Sequence, residues 1–175
     1  MIQNFETLAI HELRRDALTI AEAGYAAIHV GTAIRDKVRV GDDELHIDGK
    51  RYPIAGRRVF FVGVGKCAFA AAGAVEKLFG DKLAGGIALD VSPAERNTFM
   101  KIEAYTGTHP LPSEANVRAT RRIIEFLSDR EKNDLVIMLI SGGGSTLLCL
   151  PPPSMTCADE SALWSELTAR GARIQ

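Results

Sequence analysis

The sequence is short of cysteine, of excess charge and of long apolar runs, and each shortage narrows what the chain can be. There are three cysteines, Cys67, Cys149 and Cys157, an odd number without paired metal-ligand spacing. Such a set fits free thiols in a reducing cytoplasm better than a disulfide framework. No two of the four histidines have metal-ligand spacing either, so no protein-held metal is expected. The formal net charge is -1, which gives no support to nucleic-acid binding, a function that usually needs a basic face. No apolar run reaches the ~18 residues of a membrane span. The opening stretch MIQNFETLAIHELRRDAL lacks the basic start and apolar core of a signal peptide, and Glu6, Glu12 and Asp16 argue against a transit peptide. The expectation is a soluble, cytoplasmic protein with no nucleic-acid and no membrane partner.

What is present reads as one α/β domain over residues 1–175, with 46% hydrophobic and 25% charged residues, ordinary for a soluble globular chain. Residues 6–34 carry a helical stripe of Leu13, Ala17, Ile20, Ala21, Gly24, Ala27 and Ile28. VRVGDDELHIDGKRYPI then alternates β-prone pieces with Gly-Asp-Asp and Asp-Gly turns, as a hairpin or meander does. RRVFFVGVG (57–65) predicts a strand running straight into an alanine-rich helix over 68–79. GGIALDV and KIEAYTG predict two further strands, and Ser113 caps a helix to about Leu127 with Ala119, Ile123, Phe126 and Leu127 inward. DLVIMLI is the most apolar strand of all, and a last helical piece falls near 159–170. Strands apolar on both faces, alternating with helices, predict a Rossmann-like, mostly parallel sheet with helices on both faces. In such sheets a ligand lies beyond the carboxyl ends of the strands.

Three stretches there ask for an explanation. In SGGGST a glycine-rich turn opens a helix, so backbone amides of Ser141, Gly142, Gly143, Gly144 and Ser145 can face an anion such as phosphate or carboxylate. A tight strand-to-helix turn is the plainer reading, but one glycine would serve it. VGVGKCA places Gly63, Gly65 and Ala68 in a dinucleotide fingerprint, with Asp90 ending the next strand as a ribose-binding acid would. Lys66 stands inside that fingerprint, where its ammonium can neutralise transferring phosphate charge or simply sit in solvent. In GTHPLPSE, His109 before Pro110 either shapes a turn or serves as a proton donor or acceptor. No P-loop pattern occurs.

VGVGKCAFAAAGAVE, GTHPLPSEANVRAT, DLVIMLISGGGSTLL and LTARGARI, in this order, resemble the N-terminal portion of the glycerate 2-kinases, two-domain enzymes that also carry a MOFRL domain and are often labelled hydroxypyruvate reductases. The resemblance implies ATP-dependent phosphorylation of D-glycerate to 2-phosphoglycerate, with Mg2+ arriving on the nucleotide and the site in a cleft between two α/β domains. By motif, Lys66 matches the cleft lysine, Ser141 to Ser145 the glycine-rich loop and His109 the histidine of the HPxP loop. Cys67 and Thr146 depart from the small residues more usual there. The resemblance also implies that 1–175 is the front of a longer enzyme without its MOFRL domain. Such a segment would have an incomplete sheet, be inactive alone and tend towards a homo-oligomer. Two other functions stay open: a nicotinamide-dependent hydroxypyruvate reductase, on Gly63, Gly65, Ala68 and Asp90, and a non-catalytic anion- or phosphosugar-binding module.

Overall fold

The computed structural model describes residues 2–94 and 98–172, so the end of the LTARGARI motif lies outside the described residues. The helical pattern of 6–34 resolves into α1 (Phe5–Leu8), α2 (Glu12–Ala27) and α3 (Val30–Lys37). The meander is a three-stranded antiparallel sheet of β1 (Val38–Val40), β2 (Glu44–Ile47) and β3 (Lys50–Pro53), in that spatial order. After it come β4 (Val59–Val64), α4 (Ala68–Phe79), β5 (Leu83–Asp90), β6 (Ile102–Thr106), α5 (Glu114–Ser128), β7 (Leu135–Ile140), α6 (Gly144–Leu147) and α7 (Cys157–Ala169).

Strand β4 sits inside a four-stranded sheet of order β6-β5-β4-β7, parallel throughout. All six of its residues are buried, and its side chains alternate between two cores as the period of a strand requires. Val59 and Phe61 join Ala68, Phe69, Ala71, Ala72, Val75 and Phe79 of α4, with Ile34 of α3, on one face. Phe60, Val62 and Val64 join Ala119, Ile123 and Phe126 of α5 on the other. The small side chains of α4 let that helix lie close on the sheet. Ser113 caps α5 as the sequence predicts, its hydroxyl accepting from Ala115 N.

The helical stripe of 6–34 and the strand read in DLVIMLI are both present as elements, but neither is fully covered. The stripe on α2 is not core: no residue of α2 is buried, and Leu13, Ile20 and Ile28 are 78%, 73% and 74% exposed. Strand β7, the most apolar by sequence, is an edge of the described sheet, with Met138 and Ile140 exposed. Apolar pattern records which face a residue occupies, while burial depends on what covers that face.

A pair of substitutions separates the two kinds of apolar site. Ile123→Ala is expected to cost about 2–5 kcal/mol through lost burial and a residual cavity. Leu13→Ala in the same chain should stay within about 0.5 kcal/mol of the parent. Urea unfolding midpoints of the two variants measure the contrast.

Candidate functional site: two loops at the reversal of strand order

From β4 the chain crosses to β5 and β6 on one side, then returns to β7 on the other. The loops leaving β4 and β7 are therefore neighbours at the point where strand order reverses, the place where open α/β sheets leave a crevice. Ser141 N donates to Val64 O (2.8 Å) and Lys66 N to Gly142 O (2.9 Å), so the loops stay joined beyond the strands. Gly65 is essential to this approach. It has φ +124°, and a Cβ there would lie 2.1 Å from Ser141 Oγ and 2.8 Å from the Ser141 backbone.

The glycine loop then turns through Gly143, at φ +89°. A Cβ on Gly143 would meet His109 Cδ2 at 3.0 Å and Lys66 Cε at 3.3 Å. Those two side chains therefore flank the same stretch of bare backbone, although 43 residues separate them in sequence. In front of Gly142 there is open space, with nothing within 4 Å of a Cβ position. The amides of Gly142, Gly143 and Ser145 take no hydrogen-bond partner among the described residues, and the Lys66 ammonium makes no ion pair there. Three open donors, a free cation and an imidazole around one glycine form a cradle suited to an oxyanion.

Not every sequence candidate joins it. Gly63 lies inside β4, paired with Ala88 and Leu139, and a Cβ there would strike the Phe61 ring at 2.9 Å. It is a packing glycine. Gly144 N bonds back to Ser141 O (3.1 Å) and closes the turn. Ser141 Oγ is occupied with Val64 O and Cys67 N, both at 3.4 Å, whereas Ser145 is exposed. Asp90 is 2% exposed and its carboxylate accepts from Phe69 N (3.0 Å) and Ser92 N (3.0 Å). It fastens the start of α4 instead of facing a ribose.

Asn116, which sequence reasoning missed, holds the histidine loop. Fully buried, it accepts at Oδ1 from Thr108 N (2.9 Å) and Ser113 N (3.2 Å) and donates through Nδ2 to Thr108 O (3.0 Å) and Thr146 O (3.1 Å). One amide thus joins the segment around His109, the cap of α5 and the helix α6 after the glycines. The S-x-x-N spacing of Ser113 and Asn116 was the available signal, since it forms a capping box. Beside His109 opens a cavity of about 390 Å³ lined also by Pro110, Leu111, Thr146, Trp164, Ser165 and Thr168. Trp164 of α7 is a second residue the sequence did not single out.

Asn116→Ala is expected to cost roughly 2–4 kcal/mol, because it strands buried donors and acceptors, each worth about 1–3 kcal/mol when unpaired. Denaturant unfolding gives the loss, and NMR shifts of Thr108 and Thr146 amides should move with it. An unchanged midpoint would remove Asn116 from this role.

The comparisons with known proteins agree with this architecture. A D-glycerate 2-kinase of Thermotoga maritima is 29% identical over 163 residues, covering 93% of this chain and 36% of that protein. A protein of Agrobacterium vitis, provisionally named a hydroxypyruvate reductase, is 37% identical over 121 residues, covering 67% of this chain and 30% of its own. A crystal structure of a protein from Pyrococcus horikoshii superposes with a TM-score of 0.79 at 27% identity, covering 93% of this chain and 36% of that one. The chain thus spans about a third of the length of these relatives. The family model described as a domain of unknown function, DUF4147, matches residues 16–175, and the chain belongs to that family.

Proposed function

We propose that this segment forms the phosphate-facing wall of a kinase that transfers the γ-phosphoryl group of ATP to the 2-hydroxyl of D-glycerate, giving 2-phosphoglycerate. One observation carries the reading: Lys66, His109 and the open amides of Gly142, Gly143 and Ser145 surround the same bare backbone. The relative named D-glycerate 2-kinase supports the choice of substrate.

ATP would supply the transferable phosphoryl group. In that reaction the chain's own residues have electrostatic and positioning tasks, since phosphoryl transfer asks little else of a protein. The amides of Gly142, Gly143 and Ser145 hold phosphate oxygens without needing to reorganise. Lys66 neutralises charge at the same place, and its flexible stem lets it follow that charge. His109, against Gly143, can donate to a phosphate or substrate oxygen, or accept the hydroxyl proton. Among the described residues no group of three His, Cys, Asp or Glu side chains could hold a metal. No magnesium ligand is therefore assigned to this segment, and no step runs through the ion.

Phosphoryl transfer also needs groups opposing this wall and a closure that excludes water. Asp90, the acid of the fingerprint, is committed to α4 and is not assigned that task. The chain by itself is accordingly expected to bind nucleotide without turning it over. The fingerprint around Gly65 motivates the competing reading, a nicotinamide reductase, and one set of titrations distinguishes the two.

ATP added to the isotope-labelled chain should shift the amides of residues 142–145, and Lys66→Met should weaken that binding by about tenfold or more, as loss of a charged hydrogen bond does. NADH should give no saturable fluorescence quenching. Saturable NADH binding with unmoved glycine-loop amides in ATP would favour the reductase. Glycerate-dependent ADP release by this chain alone would place opposing catalytic groups within residues 1–175.

A further inference from the structure

Cys149 and Cys157 lie outside the phosphate-facing loops, and the proposed reaction uses neither. Cys149 comes shortly after α6, Cys157 opens α7, and Pro151, Pro152 and Pro153 lie between them. Both are buried, at 1% and 5% exposure, and their sulfurs are 3.9 Å apart. A disulfide requires about 2.05 Å, so closing the pair takes an approach of only ~2 Å, the scale of a rotamer change with a small helix shift. The third thiol, Cys67, is not part of the pair.

The surroundings give the two sulfurs different characters. Cys149 Sγ donates to Glu160 Oε2 at 3.2 Å. Burial first, then that hydrogen bond and the neighbouring Cys157, push the Cys149 thiol well above the usual range, so it persists as S–H. Cys157 is the first helical residue of the 13-residue α7, so its sulfur lies at the start of that helix. Access to it depends on α7, and α7 is lightly held. Cys157 is its only buried residue, and Ser161 Oγ donating to Pro112 O (2.8 Å) is its hydrogen bond to the histidine loop. Local opening of so thinly packed a helix admits a small oxidant.

We propose that Cys149 and Cys157 are a reversible dithiol–disulfide latch, which when oxidised fastens α7, and with it the Trp164 wall of the His109 cavity, to the segment leaving the glycine loop. The backbone of Cys149 already donates to Thr120 Oγ1 of α5 (3.0 Å), so the bridge would tie α7 through to the sheet-packed helix. With hydrogen peroxide as oxidant the step balances. The Cys157 sulfur attacks one oxygen as its proton passes to the departing oxygen, the O–O bond breaks, and a sulfenic acid and water result. Cys149 sulfur then displaces the sulfenic hydroxyl, which leaves as water with the Cys149 proton. Two thiols lose two electrons and two protons, and peroxide becomes two waters. A small dithiol such as dithiothreitol reverses the bond by exchange.

The test treats the whole chain with hydrogen peroxide, alkylates it with iodoacetamide and digests it with trypsin. Both cysteines lie in peptide 133–170. That peptide is expected unalkylated and about 2 Da lighter than its dithiol form, and doubly alkylated after dithiothreitol. The result should persist in Cys67→Ser, which removes the alternative partner. Hydrogen exchange in α7 should slow about tenfold or more in the oxidised protein, since the closed loop opposes its opening. Full alkylation after peroxide, separate over-oxidation of the two sulfurs, or a bridge to Cys67 would overturn the latch. So would the disulfide with unchanged exchange in α7.

Discussion

The distance between two loops governs everything else about the site. Strands β4 and β7 run parallel in phase, with Val64 opposite Ile140, so both chains leave the sheet at one level. Adjacent strands are only about 4.8 Å apart, and the two loops must share that gap before they diverge. Gly65 makes the sharing feasible, because any side chain there would overlap Ser141. The register is fixed at the far end as well. Arg58 donates through Nε and Nη2 to the two oxygens of Asp134, each at 2.8 Å, while Leu135 N bonds Arg58 O at 2.9 Å. A slip of one residue would turn every side chain of β7 to the opposite face. It would also carry Ser141 and Gly142 away from Lys66.

Within that frame, the histidine loop is placed by a polar network and not by apolar packing. A buried amide with all its donors and acceptors paired is directional in a way that apolar contact is not, and half-paired it would be costly. Asn116 meets both conditions, binding the Thr108 backbone from two sides while reaching Thr146 just past the glycines. Gly107 permits the approach: a Cβ there would lie 2.6 Å from Leu147 and 3.2 Å from the Asn116 amide. His109 is thus positioned by the same residue that terminates the loop at the α5 cap. The imidazole loop and the glycine turn share one support, and Thr146, which Asn116 holds, also lines the neighbouring cavity.

How much of this the sequence disclosed follows from the kind of force involved. Local rules were sufficient for α5, whose Ser113 cap and inward Ala119, Ile123 and Phe126 stand as read, and for β4, where unbroken apolar residues meant burial on both faces. Leu127 is only half-buried, since the stripe drifts at the last turn. Periodicity placed α2 and β7 rightly as helix and strand but left their burial open, because it cannot say what lies opposite an apolar face. The nearness of Lys66, His109 and Gly143 was suggested by motifs but set by topology, which brings together the ends of strands far apart in the chain. Asn116 was hidden for another reason. A buried asparagine looks like a surface one until its partners, thirty residues away at Thr146 and eight at Thr108, are known.

The fingerprint around Gly63 shows the same limit most sharply. In a dinucleotide-binding turn, the second glycine lets a pyrophosphate approach the backbone, and an acid on the next strand takes the ribose. Here the chain has the glycines and the acid, yet each is already engaged by protein. Gly63 packs against Phe61, the space Gly65 leaves is filled by Ser141, and Asp90 turns inward to the amide of Phe69. A glycine pattern therefore states that something comes close, without stating what. At Gly65 that something is the neighbouring loop. At Gly142 nothing lies within 4 Å of a Cβ position and the donors are open, so the proposed anion site belongs to the loop of β7 and not to the fingerprint after β4. Lys66 is what the first loop still contributes, a cation delivered beside backbone that a side chain would have blocked.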